Sequence, residues 1–152
     1  IDFENKAANP FPIAIVISRF NKDVTEKLLI SALKKLKNAG FSDELITVVH
    51  VPGAVEIPLV CKKIARQKKV HAIITLGAVI RGETTHYDYV CQQVSDGCLA
   101  ISLEYQLPVI FGVLTTESSE QAFARAGGVH SDKGIDCVNA AIEMVQVLEN
   151  LE

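Results

Sequence analysis

The segment AIITLGAVIRGETTHYDYV, residues 72–90, indicates both the fold class and the position of a candidate site. Its first five residues, 72–76, form an apolar run with the length of a buried strand. From residue 87 onward the apolar side chains have the spacing of a helix. Two glycines, two adjacent threonines and a histidine lie between them. Such a set can hold an oxyanion and move a proton beside it.

Strand and helix patterns alternate on both sides of this segment. Further strands are predicted at residues 13–17, 46–51 and 109–114. A helix is predicted to carry the apolar stripe from Val24 to Leu36, with Asn21 or Asp23 as its cap. Others are predicted at about residues 56–67, 87–105, 118–126 and 134–151.

This order of elements predicts the fold class. Because the strands are apolar on both faces, we expect an α/β protein with a four-stranded parallel sheet and helices on both faces, a three-layer flavodoxin-like fold. Residues 13–152 are predicted to form a single domain. Residues 1–12 are predicted to be an N-terminal extension that can pair with a neighbouring subunit.

Composition and charge argue against several classes of protein. The chain has 152 residues, a net charge of −3 and no long basic run, so we expect no nucleic-acid partner. Its aliphatic runs are too short to span a membrane, and its first residues lack a signal-peptide pattern, which predicts a cytoplasmic protein. The four cysteines lie in helical patterns without metal-ligand spacing, so we expect reduced thiols and no metal.

Ligands of parallel α/β sheets bind beyond the carboxyl ends of the strands, where four loops are predicted. Phe20 can stack on a flat heterocycle, although its spacing alone favours a cover for the sheet edge. Glu56 can accept hydrogen bonds from a ligand, although its spacing alone favours a helix cap. After the third strand, Thr84 and Thr85 offer hydroxyls and His86 can transfer a proton. At this loop the combination favours a functional site over a capped turn.

Two cations, Arg125 and Lys133, flank the turn after the fourth helix. An arginine can hold a phosphate bidentately and a lysine supplies a point charge, which slightly favours an anionic ligand over a solvated helix end. Residues 114–117 are predicted to cap the fourth helix, and Phe111 to lie in the core. No Walker or dinucleotide motif is present, so neither of these phosphate-binding loops is expected. The residues alone predict a site for a small phosphorylated molecule, which can include a heterocycle.

The sequence resembles the lumazine synthase family over about residues 13–148. Several blocks occur in the family's order, namely RFN at 19–21, PGAVEIP at 52–58, residues 77–90, FGVLTTE at 111–117 and QAFARAG at 121–127. The resemblance implies a transferase that condenses 5-amino-6-(D-ribitylamino)uracil with 3,4-dihydroxy-2-butanone 4-phosphate. The product is 6,7-dimethyl-8-ribityllumazine, the penultimate intermediate of riboflavin biosynthesis. Phosphate and water leave, and no cofactor or metal is needed.

The same resemblance assigns a role to each site residue. Phe20 stacks on the pyrimidine, and Glu56 accepts hydrogen bonds from the ribityl hydroxyls. His86 transfers the proton, Arg125 pairs with the phosphate, and Lys133 is a second cation there. The remaining contacts are Ala54 and Val55 on the ribityl chain, Ala78, Val79 and Ile80 around the heterocycle, Glu83, Thr84 and Thr85 beside the phosphate, and Phe111 closing the pocket from the adjacent subunit.

The resemblance further implies a homo-oligomer, either a pentamer or a sixty-subunit icosahedral shell, with active sites between subunits. A partnership with riboflavin synthase is left open. One segment departs from the family, whose turn commonly ends in Asn-Lys-Gly, whereas this sequence has GVHSDK at 128–133. Asp132 places a negative charge beside Lys133, which would weaken its phosphate role. The lack of a long insertion in this turn favours a shell.

Three alternatives remain. A non-catalytic carrier of lumazine or flavin would need only the aromatic and ribityl contacts, so the presence of Thr84, His86 and Arg125 together argues against it. A shell-forming structural protein is compatible with catalysis. A generic sugar-phosphate enzyme would not explain Phe20 and Glu56 in their positions.

Overall fold

The computed structural model of the chain describes residues 1–127 and 131–151. In these residues the strands and helices alternate along the chain, as the sequence predicts. The elements are β1 (Ile13–Ser18), α1 (Lys22–Asn38), β2 (Ile46–Val51), α2 (Ile57–Gln67), β3 (Ala72–Ile80), α3 (His86–Tyr105), β4 (Val109–Thr116), α4 (Ser119–Arg125) and α5 (Lys133–Glu149). Short 3-10 turns at Asp43–Leu45 and Ala54–Glu56 precede β2 and α2.

The four strands form one parallel sheet in the order β2-β1-β3-β4. Side chains of β1 alternate between two apolar cores. Ile13, Ile15 and Ile17 belong to a core with α1 and α5, and Ala14 and Val16 belong to a core with α2 and α3. The predicted three-layer, flavodoxin-like α/β architecture is therefore confirmed.

β3 and β4 both extend further than their apolar runs predict. The prediction that β3 ends at residue 76 is wrong by four residues, because its ladder with β4 continues to the pair Ile80↔Thr116. Gly77 therefore lies in the strand and not in a ligand loop. A Cβ at Gly77 would lie 3.0 Å from Ser18 Oγ, so this glycine allows close packing of β3 against β1.

The helix caps also differ from the prediction at two positions. Asn21 occupies the N-cap position of α1 but makes no side-chain cap hydrogen bond there. Residues 114–117 do not cap α4, since Ser118 Oγ accepts the hydrogen bond from the Gln121 N–H at 3.2 Å. The predicted cap fails because Thr115 and Thr116 remain paired in β4.

All four cysteines lie in helices and are free thiols, as predicted. Burial raises the pKa of Cys98 and of Cys137 from 9.0 to about 11, so both remain protonated at neutral pH. Among the helices that the structure describes, none is long and apolar enough to cross a membrane.

The N-terminal segment contacts the end of the domain opposite the carboxyl ends of the strands. Gln146 Nε2 donates to the Ala7 carbonyl at 3.0 Å, and the Phe11 ring packs edge-on against Phe41 at 5.0 Å between ring centroids. Pairing of residues 1–12 with a neighbouring subunit stays a prediction.

Gly97 allows α3 to pack closely against α2. A Cβ at this position would lie 2.7 Å from Pro58 Cβ, which belongs to a rigid ring in the first turn of α2. The helices would therefore have to separate to admit a side chain at residue 97.

Gly97→Ala is expected to lower the free energy of unfolding by about 1 kcal/mol. The helix gains about 1 kcal/mol from replacing glycine, whereas overpacking costs about 1–3 kcal/mol. Denaturant unfolding midpoints measure the difference. Gly82→Ala is the matched control, since a Cβ there meets nothing within 4 Å. A Gly97→Ala protein more stable than wild type by about 1 kcal/mol, the full gain in helix propensity, would contradict the packing argument.

Candidate active site

A pocket of about 260 Å³ lies at the carboxyl ends of β1, β2 and β3. Its walls are mainly apolar, with His86 and Asn21 as the polar side chains. It is lined by Phe20, Asn21, Gly53, Ala54, Val55, Ala78, Val79, Ile80, His86 and Val90. Seven of these ten residues are candidate site residues from the sequence, and the pocket lies where ligands of parallel sheets bind.

Two larger cavities lie beside the N-terminal segment. They have volumes of about 400 and 500 Å³ and lie between residues 3–11 and α5. A third larger cavity, of about 440 Å³, lies between the end of α3, the start of β4 and α5. None of the sequence-derived site residues lines any of the three. The smaller pocket at the strand ends is therefore the candidate active site.

The loop after β1 holds an aromatic ring at the mouth of the pocket. Phe20 is 72% exposed, yet its backbone N–H donates to the Pro52 carbonyl at 3.0 Å. Asn21 adopts the left-handed conformation with φ of 61°, and its Nδ2 donates to the Ala78 carbonyl at 2.8 Å. These bonds join the loop to β2 and β3, so the Phe20 ring has a fixed base from which to stack on a planar ligand.

Sequence reasoning considered Asn21 only as a cap. Its structural role is to tie the β1–α1 loop to the wall formed by β3. The one signal in the sequence is the residue type, because asparagine tolerates the left-handed region better than most residues.

The loop after β2 carries Glu56 in a cap. Its Oε1 accepts a hydrogen bond from the Gly53 N–H at 2.9 Å. This bond confirms the role as a helix cap, which the spacing of Glu56 alone favours. A carboxylate has about four acceptor positions, so this bond leaves capacity for a ligand hydroxyl. Ala54 and Val55, between the two bonded residues, line the pocket.

The third wall is the end of β3. Because the strand continues to Ile80, Ala78, Val79 and Ile80 are held in the sheet and not in a loop. Ala78 is buried, and Val79 and Ile80 are half-buried. The pocket therefore has an apolar wall that is held by the sheet, in addition to the exposed ring of Phe20.

The first turn of α3 carries His86 to the rim. His86 and Val90 are four residues apart, so they share one helix face, and both line the pocket. Thr84 Oγ1 accepts the His86 N–H at 3.3 Å, whereas Thr85 makes no side-chain cap bond. Residues 83–86 are exposed. The loop thus presents a histidine and two threonines to solvent beside the pocket.

Several predicted site residues lie away from this pocket. Phe111 is half-buried in β4 and packs against the core on the α2 and α3 side. Arg125 is exposed at the end of α4, and Lys133 begins α5. In the described part of a single chain, none of the three lines the pocket. Glu83, Thr84 and Thr85 adjoin it through the His86 loop.

The altered turn is described only in part. Residues 128–130 of the predicted GVHSDK departure lie outside the described residues. Asp132 Oδ1 accepts the Ile135 N–H at 3.2 Å and is the N-cap of α5. The Asp132 carboxylate thus has a structural role as the cap of α5. Since aspartate and asparagine cap helices about equally well, the aspartate that stands here in place of the family's asparagine keeps this cap.

Fold and pocket together define a class: a parallel α/β protein with a mainly apolar pocket of small-molecule size at the strand ends and a histidine at its rim. Across residues 1–127 and 131–151, no group of three or more His, Cys, Asp or Glu side chains is arranged to hold a metal.

Comparison with known proteins specifies the class. A profile of the 6,7-dimethyl-8-ribityllumazine synthase family matches residues 10–149. Proteins of that name from two strains of Coxiella burnetii are each 55% identical over 142 residues, which are 93% of this chain and 94% of theirs. The chain belongs to the 6,7-dimethyl-8-ribityllumazine synthase family, and the resemblance seen in the sequence is confirmed.

One solved structure is similar in backbone only. A GDP-L-fucose synthetase from Naegleria fowleri matches with a TM-score of 0.44 and 11% identity, over 95% of this chain and 45% of that one. The chain thus spans less than half of that protein. This likeness has no bearing on the site.

Replacing Glu56 tests its role as a cap. Glu56→Ala is expected to lower the free energy of unfolding by about 1 kcal/mol, because the Gly53 N–H loses its acceptor. Glu56→Gln retains a carbonyl oxygen and is expected to stay within about 0.5 kcal/mol of wild type. Denaturant unfolding of both variants measures this. Equal stabilities of the two variants would show that the cap contributes nothing.

Proposed function

We propose that this chain is a transferase that condenses 5-amino-6-(D-ribitylamino)uracil with 3,4-dihydroxy-2-butanone 4-phosphate to 6,7-dimethyl-8-ribityllumazine, with release of phosphate and water. One observation carries the proposal. This chain belongs to the 6,7-dimethyl-8-ribityllumazine synthase family, and residues at the ends of β1, β2 and β3 line one mainly apolar pocket together with His86.

The pocket suits the pyrimidine substrate. The exposed Phe20 ring can stack on the heterocycle, and the wall of Ala78, Val79 and Ile80 can cover its other side. The ribityl chain then extends past Ala54 and Val55 to Glu56, whose carboxylate accepts hydrogen bonds from hydroxyls.

The reaction requires a group that moves protons and a site for the leaving phosphate. The substrate amine attacks the ketone, and loss of water gives an imine. A proton then leaves carbon as the C–O bond to phosphate breaks. The resulting enol takes a proton at its terminal carbon to become a ketone, and ring closure onto this ketone releases the second water. His86 at the pocket rim can take the carbon proton. Glu83, Thr84, Thr85 and the first amides of α3 adjoin the position proposed for the phosphate.

We place the remaining predicted residues at a subunit interface. Phe111, Arg125 and Lys133 lie away from the pocket of their own chain, so we propose that a neighbouring subunit supplies them. Arg125 pairs with the phosphate, Lys133 adds positive charge, and Phe111 closes the pocket. The pocket of one chain is therefore incomplete on its phosphate side.

Exposed apolar side chains support a homo-oligomer. Leu59, Tyr89 and Leu103, on α2 and α3, are 74%, 70% and 70% exposed. Exposed apolar side chains of this size can be covered when subunits associate. We propose a pentamer or a sixty-subunit shell in the cytoplasm, with residues 1–12 pairing with a neighbour and riboflavin synthase as a further partner.

A direct assay tests the function. The purified protein is mixed with both substrates, and formation of the fluorescent lumazine is compared with the uncatalysed rate. Enhanced formation that depends on the butanone phosphate supports the proposal. No enhancement, in a folded protein that still binds the ribitylaminopyrimidine, would favour the carrier alternative.

His86→Ala is expected to lower kcat by about 10²-fold and to leave activity above the uncatalysed rate. A positioned acid or base contributes about 10²–10⁴-fold, whereas alignment of two reactants can be worth effective molarities of about 10⁵–10⁸ M. Steady-state kinetics measure this. His50→Ala removes an exposed histidine that does not line the pocket and serves as the control. Complete loss of activity in a folded, substrate-binding His86→Ala protein would contradict the positioning argument.

Arg125→Ala is expected to raise KM for the butanone phosphate about 10-fold or more and to change KM for the pyrimidine little. A hydrogen bond to a charged group is worth about 1.5–3 kcal/mol. The matched control is Arg66→Ala, since Arg66 is also exposed in the last turn of a helix. An unchanged KM for the phosphate substrate would overturn this assignment.

A further inference from the structure

The first turn of α3 presents two different faces. His86 and Val90 lie on the face that lines the pocket. Successive residues of a helix are rotated by about 100°, so Tyr87 and Asp88 point elsewhere. Their side chains contact Arg81, which follows directly after β3.

One guanidinium group joins this turn to the end of β4. Arg81 Nη2 lies 3.3 Å from Asp88 Oδ1, and its Cζ lies 4.5 Å from the centroid of the Tyr87 ring. On the other side, Arg81 Nε lies 2.7 Å from Oε2 of Glu117, the residue after β4. The Arg81 backbone N–H also donates to the Thr116 carbonyl at 2.9 Å. We call Arg81, Tyr87, Asp88 and Glu117 the Arg81 cluster.

We propose that Arg81 is a positioning residue, which holds the first turn of α3 against the end of β4 and thereby fixes His86 at the rim of the pocket. The assignment rests on the proposed condensation activity for its functional consequence. The structural part of the proposal, that Arg81 holds the first turn of α3 in place, does not depend on that activity.

The loop between β3 and α3 has little else to restrain it. Residues 81–86 are exposed, and a Cβ at Gly82 would meet nothing within 4 Å. The bond from the His86 N–H to Thr84 Oγ1 is local to the loop. The Arg81 cluster, in contrast, connects the loop to a different strand, so it can determine where the whole turn lies.

The geometry requires an arginine. The planar guanidinium reaches Glu117 through Nε and Asp88 through Nη2 while its face covers the Tyr87 ring. A lysine ammonium is a point charge on a flexible stem and cannot hold the same three partners in this arrangement. Burial raises the pKa of the Tyr87 phenol, and the Cys91 thiol acts in the same direction, so the ring beside the cation stays neutral.

A direct role for Arg81 in phosphate binding is the competing explanation. Two carboxylates already contact its guanidinium, and Arg81 is not among the residues that line the pocket. The two roles predict different kinetics. A phosphate ligand affects KM for the butanone phosphate and leaves kcat little changed. A positioning residue lowers kcat through His86, and it can also change that KM because the same turn carries Thr84 and Thr85.

Kinetics of Arg81→Gln, alone and combined with His86→Ala, test the proposal. In the otherwise wild-type chain, kcat is expected to fall about 10-fold or more, with KM for the pyrimidine within about twofold, since misplacement by about 1 Å can cost about 10²-fold. In the His86→Ala background, Arg81→Gln is expected to change kcat less than about twofold. Arg81→Lys is expected to behave like Arg81→Gln.

Lys62→Gln is the matched control. Lys62 Nζ lies 3.6 Å from Glu104 Oε2, so this substitution also removes an exposed ion pair that contacts α3, but near its other end. Isolated exposed pairs contribute little to stability, so both variants are expected to fold. Three results would overturn the proposal: a raised KM for the butanone phosphate with an unchanged kcat, an undiminished kcat effect in the His86→Ala background, or full activity of Arg81→Lys.

Amide hydrogen exchange separates this proposal from the proposed function. Exchange in residues 82–92 is expected to be several-fold faster in Arg81→Gln than in wild type, and unchanged in Lys62→Gln. Unchanged exchange in Arg81→Gln would overturn the positioning role whatever the activity. A wild-type protein that makes no lumazine would overturn the proposed function, while the exchange result would still decide the role of Arg81.

Discussion

The pairing of β3 with β4 is the interaction on which the candidate site depends. The ladder runs from Ile73↔Val109 to Ile80↔Thr116, and it continues into the bond between the Arg81 N–H and the Thr116 carbonyl. It holds Ala78, Val79 and Ile80 as one wall of the pocket and sets the point from which α3 begins. Without this extension, the wall and the histidine would both lie on a free loop.

The two-sided core explains why the chemistry lies at one edge of the sheet. β1 and β3 are covered by α1 and α5 on one face and by α2 and α3 on the other, so their side chains are almost all apolar. Polar groups can reach a ligand only where the strands end. The Asn21 bond to the Ala78 carbonyl and the Glu56 bond to Gly53 then secure the loops at that edge.

Stability and function overlap at this edge. Glu56 caps the turn before α2 with one oxygen, and as an acceptor it is also suited to a ribityl chain. Phe20 remains exposed on a hydrogen-bonded backbone, which is unfavourable for an isolated chain but useful for a ring that stacks on a ligand. We propose that Arg125 and Lys133 of a neighbour complete the phosphate side of the site and that its Phe111 closes the pocket, so the reaction would require assembly.

The sequence by itself determined the class of fold, the order of its elements and the family. Apolar runs such as residues 13–17 must be buried on both faces, and this local property predicts a parallel sheet without knowledge of contacts. Blocks such as PGAVEIP at 52–58 indicate the family and most of the pocket lining. Only the tertiary structure decided where β3 and β4 end, what Asn21 binds, and how Arg81 links α3 to β4. The reason is physical: these features depend on hydrogen bonds and ion pairs between residues far apart in the chain, which local composition does not encode.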